Sequence, residues 1–254
     1  MFRHPLIRVG RWSAFAALLA LCGLPPARAS VPVGPPVFTT PTTIDNTYFP
    51  FVPGAVTVSS GKKDGQVNVI VDLFLTDTRT CNTGGGDVEC RDLQETEFLG
   101  GKIEEISHNF FAQADDGSVY YFGETVDVYD DTGAIVSHEG SFLVGGPTLP
   151  GDPPDTVAIT DPGLFMPATP EVGDVYMPED AVPAAQEQDT VESATDKQKT
   201  PAGKFTDVLR VHEFGALDGD VETKWYAPGV GVIRAKAKGE QVKLIASTLP
   251  PAGP

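Results

Sequence analysis

The sequence predicts an all-β protein: an antiparallel meander that closes or nearly closes into a barrel, or forms a strongly curved sheet. Three observations support this. Apolar and polar residues alternate with a period of two, and β-branched and aromatic residues fill the alternating positions. Asp-Gly pairs separate the alternating segments, as in hairpin turns. No window of about twelve residues has an apolar stripe at helical spacing with helix caps.

The clearest predicted strand covers residues 67–75. One face of it carries Val67, Val69, Val71, Leu73 and Leu75, and the other carries Gln66, Asn68 and Asp72. We expect the apolar face to lie on the core. The same alternation predicts strands at 88–98, 102–114, 118–123, 125–130, 134–143, 174–179, 188–194, 204–213, 220–228, 230–238 and 240–247.

Four connections have the chemistry of tight turns. Asp64-Gly65, Asp116-Gly117 and Asp218-Gly219 each lie between alternating segments, and Asp131-Thr132-Gly133 is one residue longer. Asp and Gly tolerate the left-handed backbone that two-residue hairpins need. These positions therefore fix where the meander reverses.

The chain divides into an export signal and a single domain. Residues 1–29 combine a basic start, a short apolar run and an Ala-Arg-Ala cleavage site, so we expect cleavage after Ala29 and a secreted or periplasmic product. Residues 30–45 read as an extended leader, 46–248 as the β domain and 249–254 as a tail. Within the domain, 145–172 is a long Pro-rich connection and 181–203 is a polar, partly mobile segment.

The charge balance excludes several partners. The 35 acidic and 18 basic residues give a net charge of −17. This argues against binding of nucleic acid, which needs Lys and Arg to neutralise phosphates, and against docking on anionic lipid. No stretch after the signal has the roughly 20 apolar residues of a membrane span.

Two cysteines remain in the exported chain, Cys81 and Cys90. Because exported proteins meet an oxidising compartment, we expect one disulfide that closes the loop between them and tethers two adjacent strands.

Several separated motifs resemble those of a family of exported bacterial all-β proteins to which no activity is attached. Residues 46–54 resemble its Asn-x-Tyr/Phe-Phe-Pro-x-x-Pro-Gly opening, and residues 110–124 its aromatic hairpin. Residues 163–176 and 224–231 are similar to its Met-Pro-Ala…Gly-Asp-x-Tyr and Tyr-Ala-Pro-Gly-Val-Gly motifs. The family's acidic stretch after Tyr176 is matched loosely by Glu187, Asp189 and Glu192. The resemblance implies an exported β domain and no particular reaction.

The aromatic hairpin is the main candidate for ligand binding. Its rings point to both faces of a two-stranded ribbon, so one set fills the core and the other either packs under the Pro-rich connection or lines a cavity. In the cavity interpretation, Phe165 and Met166 form a lid. The candidate ligand-binding residues are Phe110, Phe111, Tyr120, Tyr121, Phe122, Phe165, Met166, Trp225 and Tyr226.

Catalytic and metal signals are weaker. His108 with Glu104 and Glu124 is the one combination suited to general acid/base chemistry, provided that these residues converge in a cavity. Asp115-Asp116 and Asp130-Asp131 suggest calcium, since Ca²⁺ takes clustered oxygens, but hairpin turns also explain both pairs. The sequence motifs imply no other cofactor.

Three functions follow from these features. The first is a noncatalytic exported β domain that binds a small apolar or amphipathic ligand, or a partner, through the aromatic face. The second is a cavity enzyme, such as an isomerase, cyclase or hydrolase, that uses His108 with Glu104 or Glu124. The third is a purely structural or interaction protein, which a filled core without a cavity would favour.

Overall fold

The computed structural model describes residues 31–249. The predicted signal peptide and nearly all of the predicted tail lie outside the described residues. The strands are β1 (Val56–Lys63), β2 (Gln66–Asn82), β3 (Asp87–Leu99), β4 (Lys102–Gln113), β5 (Val119–Tyr129), β6 (Ile135–Ser137), β7 (Phe142–Val144), β8 (Val157–Ile159), β9 (Gly163–Met166), β10 (Val175–Ala181), β11 (Ala185–Thr200), β12 (Gly203–Gly215), β13 (Val221–Ala227), β14 (Gly231–Ala237) and β15 (Glu240–Ser247).

The strands form one continuous sheet in the order β10-β11-β12-β13-β14-β15-β1-β2-β3-β4-β5-β7-β8. All of these pairs are antiparallel except β7 with β8. The sheet curls into a nearly closed barrel with one unsealed seam. At the seam, β9 pairs with β5, and Gly163 lies so close to the Pro178 carbonyl of β10 that a Cβ there would clash. The predicted all-β, barrel-like fold is confirmed.

The predicted turns reverse the chain as expected. Asp64 and Gly65 both have positive φ, of 50° and 85°, and join β1 to β2. Gly117, Gly133 and Gly219 also have positive φ at their turns. Left-handed residues match the twist of the flanking strands, which is why Asp and Gly occur at these four turns.

Several elements differ from the predicted strands. β1 was not predicted, because Ser59, Ser60 and Gly61 interrupt its apolar alternation. Residues 118–130 form one strand rather than two, and 134–143 divides into β6 and the start of β7. The polar segment at 181–203 contains the 16-residue β11, which pairs with β10 and β12. Its partial mobility stays a prediction. Ladder hydrogen bonds hold a strand whose side chains are polar on both faces.

The predicted orientation of β2 is wrong. Asn68 is fully buried, whereas Val67 is 55% exposed. Asp72 lies opposite Thr57 and Glu95 and points into the barrel with them. The apolar face of β2 therefore points outward, because the interior near this strand is polar.

The two ends of the barrel differ. At one end, here called the closed end, residues 38–51 cross the opening: Thr47 accepts a backbone hydrogen bond from Gly229, and Asn46 donates to the Gly117 and Pro167 carbonyls. The predicted leader also hydrogen-bonds to the β4–β5 hairpin through Val37 and Pro41. The opposite end, the open end, carries the β10–β11, β12–β13 and β14–β15 turns.

Candidate functional site: an acidic lumen

The predicted aromatic face forms the packed closed end. On the inner side of the hairpin, the Phe111 ring stacks on Tyr121 at 4.8 Å and meets Phe49 at 4.7 Å and Phe165 at 4.9 Å. Tyr120 and the fully buried Phe122 point to the other side, where Phe38 of the leader covers both. The opposed orientation is as predicted, and both sets of rings are in contact with neighbouring side chains.

The other predicted ligand-binding residues are buried, except Phe165, which is partly buried. Met166 has no exposed surface, and Phe165 packs between Phe49 and Phe111, so both lie within the packed closed end. Trp225 and Tyr226 point in opposite directions. The Trp225 ring lies 4.3 Å beneath the Arg234 guanidinium, whereas the Tyr226 hydroxyl lies 3.5 Å from Glu213 inside the barrel.

The structure does not bring the predicted acid/base residues together. His108 Nδ1 lies 3.0 Å from Asp92 Oδ1, and this hydrogen bond raises the pKa of the imidazole. Glu104 pairs with Lys63 at 3.0 Å. Glu124 faces the barrel interior, where burial and the charge of Glu179 hold its pKa well above the usual range.

The predicted cysteine bridge is not formed in the structure. Cys81 and Cys90 are free, buried thiols on β2 and β3. Cys90 lies opposite Arg79, and Cys81 lies opposite Val88, so the two thiols are diagonal neighbours rather than a directly opposed pair. Burial, followed by the neighbouring Cys81 thiol, holds the pKa of Cys90 well above its usual range.

The four calcium candidates each form hydrogen bonds or an ion pair within the protein. Asp115 accepts hydrogen bonds from the Thr39 backbone and hydroxyl, and Asp116 accepts one from the Ser118 amide. Asp130 accepts hydrogen bonds from Thr132 and Ala134 in its turn, and Asp131 pairs with Lys102. The bonds of Asp116 and Asp130 are those of turns, whereas Asp115 holds Thr39 of the leader and Asp131 pairs with Lys102 of β4.

The barrel interior holds a cluster of acidic side chains that we call the acidic lumen. Its central cation is Lys224 of β13, which lies 2.8 Å from Glu213 and 3.6 Å from Glu222. The Lys224 charge also acts across the barrel on Asp72 and Glu95. The carboxyl groups of the acidic lumen are Asp72, Glu95, Glu105, Glu124, Glu179, Glu187, Asp189, Glu213 and Glu222.

Part of the acidic lumen borders a pocket at the open end of the barrel. This pocket, of about 530 Å³, extends inward from the open end. Glu179, Glu187, Glu213 and Glu222 line it, and its apolar lining includes Ala184, Ala185, Leu217, Val221 and Ala237. Lys224 keeps 29% of its side-chain surface accessible although it lies inside the barrel. Water and small solutes therefore have room beside these charges.

Burial dominates the protonation chemistry of the lumen. It raises the pKa of Glu179 to about 7 and that of Glu213 to about 8. Burial and the charge of Glu213 raise the pKa of Asp189 to about 10. Burial opposes the charge of Lys224, but Glu213 and Glu222 outweigh it and hold the pKa of the ammonium well above its usual range. At neutral pH the lumen thus combines a charged ammonium with protonated carboxyls.

Sequence reasoning missed most of this site. Glu187 and Asp189 were noted as an acidic stretch, but Glu213 and Lys224 were not singled out. The sequence does contain a pattern that indicates the site: the inward face of several strands changes from apolar to charged toward the open end. Examples are Leu93 to Glu95 and Glu97 on β3, Val211 to Glu213 on β12, and Tyr226 to Lys224 and Glu222 on β13.

Comparison with known proteins gives no relative to guide the assignment. No family model matches the chain, and neither the curated proteins nor the solved structures contain a match. Among residues 31–249, no helix has the length and apolar character needed to cross a membrane.

Proposed function

We propose that this protein is a noncatalytic, exported β domain that binds a small cationic ligand in the acidic lumen. The observation that carries the proposal is the excess of carboxyl groups over ammonium groups around a pocket of about 530 Å³: Glu179, Glu187, Glu213 and Glu222 line it, and Lys224 pairs with two of them. Buried charges need partners, and carboxylates that crowd one another remain ionised only when cations compensate them. A bound cation would supply that compensation.

The cavity lining also indicates the shape of the ligand. Carboxyl groups line it together with Ala184, Leu217 and Val221. A ligand with one cationic group and a small apolar body would match both surfaces, since ligand sites combine apolar walls with a few polar groups. This retains the amphipathic ligand of the sequence prediction but moves it from the aromatic residues to the opposite end of the barrel. Ligand binding by the aromatic rings themselves stays a prediction.

The catalytic alternative has less support. His108, Glu104 and Glu124 have separate partners, so no acid/base pair converges on the cavity from these three residues. The structural alternative required a filled core, whereas the open end is hollow.

Thermal unfolding tests the proposed function. Metal-free protein would be heated with alkylammonium ions and divalent metal ions, each at the same ionic strength, and with neutral alcohols matched to the ammonium ions in shape. A cation at about 100 times its Kd stabilises by about 2.7 kcal/mol, which raises Tm by roughly 5 to 10 °C for a chain of this size.

Two variants control for nonspecific binding to an acidic protein. Glu213→Gln, inside the lumen, should reduce the shift, whereas Asp131→Asn, whose side chain is 91% exposed, should leave it unchanged. If no cation raises Tm above its neutral counterpart, the proposed function is wrong.

We also propose export with removal of residues 1–29. Intact-mass measurement of protein from the periplasm or culture medium should give a chain that begins at Ser30. The same measurement under nonreducing conditions tests the predicted bridge, because a Cys81–Cys90 disulfide lowers the mass by two hydrogens. A mass that includes the first 29 residues would contradict export by this route.

A further inference from the structure

Three carboxyl groups of the acidic lumen converge more closely than the others. Glu187, Asp189 and Glu213 each place one carboxylate oxygen within 4.8 Å of those of the other two. The register explains the convergence: Asp189 of β11 lies directly opposite Glu213 of β12, and Glu187 is two residues from Asp189 on the same face of the strand. Asp189 and Glu213 are only 3% and 2% exposed.

A second observation indicates that this group lacks a partner. Tyr176 of β10 lies opposite Asp189 of β11 and is 4% exposed, and its hydroxyl has no hydrogen-bond partner among residues 31–249. Directly opposed residues of adjacent strands point to the same face of a sheet, so the Tyr176 side chain shares a face with Asp189 and Glu213. Burial and the charges of Asp189, Glu213 and Glu187 raise the pKa of its hydroxyl. Asp189 Oδ1 is also buried without a hydrogen bond. Buried polar atoms are rarely left unsatisfied, so both oxygens indicate a missing ligand.

We propose that Glu187, Asp189 and Glu213 form a binding site for a hard divalent metal ion, Ca²⁺, with Tyr176 as a neutral hydroxyl at its edge. This inference rests on the proposed function, because it adds an inorganic cation to the cationic ligands proposed for the acidic lumen. The site offers oxygen only, and the side chains that soft metals select, Cys and His, are not among its three ligands. Ca²⁺ takes six to eight oxygens, and the adjoining cavity has room for the waters that would complete the set.

Lys224 acts as an internal counter-ion at this site. Its ammonium lies 2.8 Å from Glu213 Oε2 and 3.6 Å from Glu222. A metal ion on Glu213 would compete with this ammonium, which can remain paired with Glu222. Substitution by glutamine removes the competing charge and keeps a hydrogen-bond donor. Lys224→Gln should therefore bind Ca²⁺ more tightly than the wild type.

The experiment measures Ca²⁺ binding to chelator-treated full-length protein by titration calorimetry, and Tb³⁺ binding by luminescence excited through tyrosine. We expect one ion per chain. Asp189→Asn should weaken Ca²⁺ binding about tenfold or more, at least the effect of losing a supporting group around a metal. Tyr176→Phe should reduce Tb³⁺ emission in part, because it removes one tyrosine that excites the ion while Tyr226 remains beside Glu213. The ion should still bind, because only a hydroxyl at the edge of the site is lost. Asp131→Asn should match the wild type.

Each contrary result has a distinct meaning. If ammonium ions raise Tm but Ca²⁺ does not bind, the metal site is wrong and the proposed function stands. If no cation binds, both fail. Binding of Mg²⁺ with no Ca²⁺ affinity overturns the assignment of the ion, and unchanged Ca²⁺ affinity in Asp189→Asn overturns its location.

Because Asp189→Asn is nearly isosteric, its melting curve is expected to show a folded protein. If that variant does not fold, unchanged Tb³⁺ emission in Tyr176→Phe together with no tightening in Lys224→Gln overturns the location instead.

Discussion

Raising the pH from about 5 to about 8 should lower the free energy of unfolding of the metal-free protein by several kcal/mol, at about 1.4 kcal/mol per pH unit for each titrating group. Burial raises the pKa of Glu179 to about 7, of Glu213 to about 8 and of Asp189 to about 10, from ordinary values of 4.5, 4.5 and 3.8. At a pH between the ordinary pKa of one of these groups and its raised pKa, the folded protein binds more protons than the unfolded chain. Stability is therefore fully present below the unfolded pKa and is lost as the pH rises through the folded pKa.

Urea unfolding at several pH values between about 5 and 8 measures this effect, since the midpoint and slope give the free energy at each pH. His108 must be separated from the lumen, because its raised pKa also removes stability as the pH rises. Asp189→Asn should make the free energy of unfolding depend less on pH and should stabilise the protein at pH 8. His108→Gln should leave most of the pH dependence unchanged. A stability that is constant or rises with pH would show that the lumen carboxyls are not held protonated. Ca²⁺ at saturating concentration should recover stability at the alkaline end.

The fold was predictable from the sequence because the backbone rules are local. Period-two alternation identified most strands, and Asp64-Gly65 and similar pairs identified turns. The orientation of β2 was not predictable by the same means. The rule that apolar residues point inward holds for a filled core, but here Asn68 and Asp72 face a polar interior and Val67 faces outward. Which face is inside depends on how the whole sheet closes.

The candidate site depended on long-range pairing and was only partly predictable. Asp189 and Glu213 lie 24 positions apart in sequence and become neighbours through the β11–β12 register, which shifts between Val191 and Ser193. The aromatic hairpin had the stronger local signal, but its rings pack against residues 38–51 and Phe165. A local pattern identifies which residues are unusual, whereas tertiary contacts decide whether they fill space or line it.

Replacing Arg79 with methionine should destabilise the protein by about 3 to 5 kcal/mol, the usual effect of removing one partner of a buried ion pair. The Nη1 and Nη2 atoms of Arg79 each donate to Asp152 at 2.7 Å, and the two side chains are only 6% and 5% exposed. Asp152 also accepts the amides of Thr148 and Leu149. The pair thus fixes the Pro-rich connection to β2, and without Arg79 the Asp152 carboxylate would be buried without its counter-charge.

Urea unfolding of Arg79→Met, Asp152→Asn and the double variant measures the pair as a thermodynamic cycle. The double variant should lose less free energy of unfolding than the two single variants lose together, because it leaves no uncompensated charge. Lys102→Met provides the matched control, since Lys102 and Asp131 form an equally short ion pair whose side chains are 60% and 91% exposed. Exposed pairs contribute about 0 to 1 kcal/mol. If Arg79→Met lowers the free energy of unfolding by no more than Lys102→Met does, burial does not strengthen the Arg79–Asp152 ion pair. The Pro-rich connection must then be held to the barrel by its apolar residues, such as Met166.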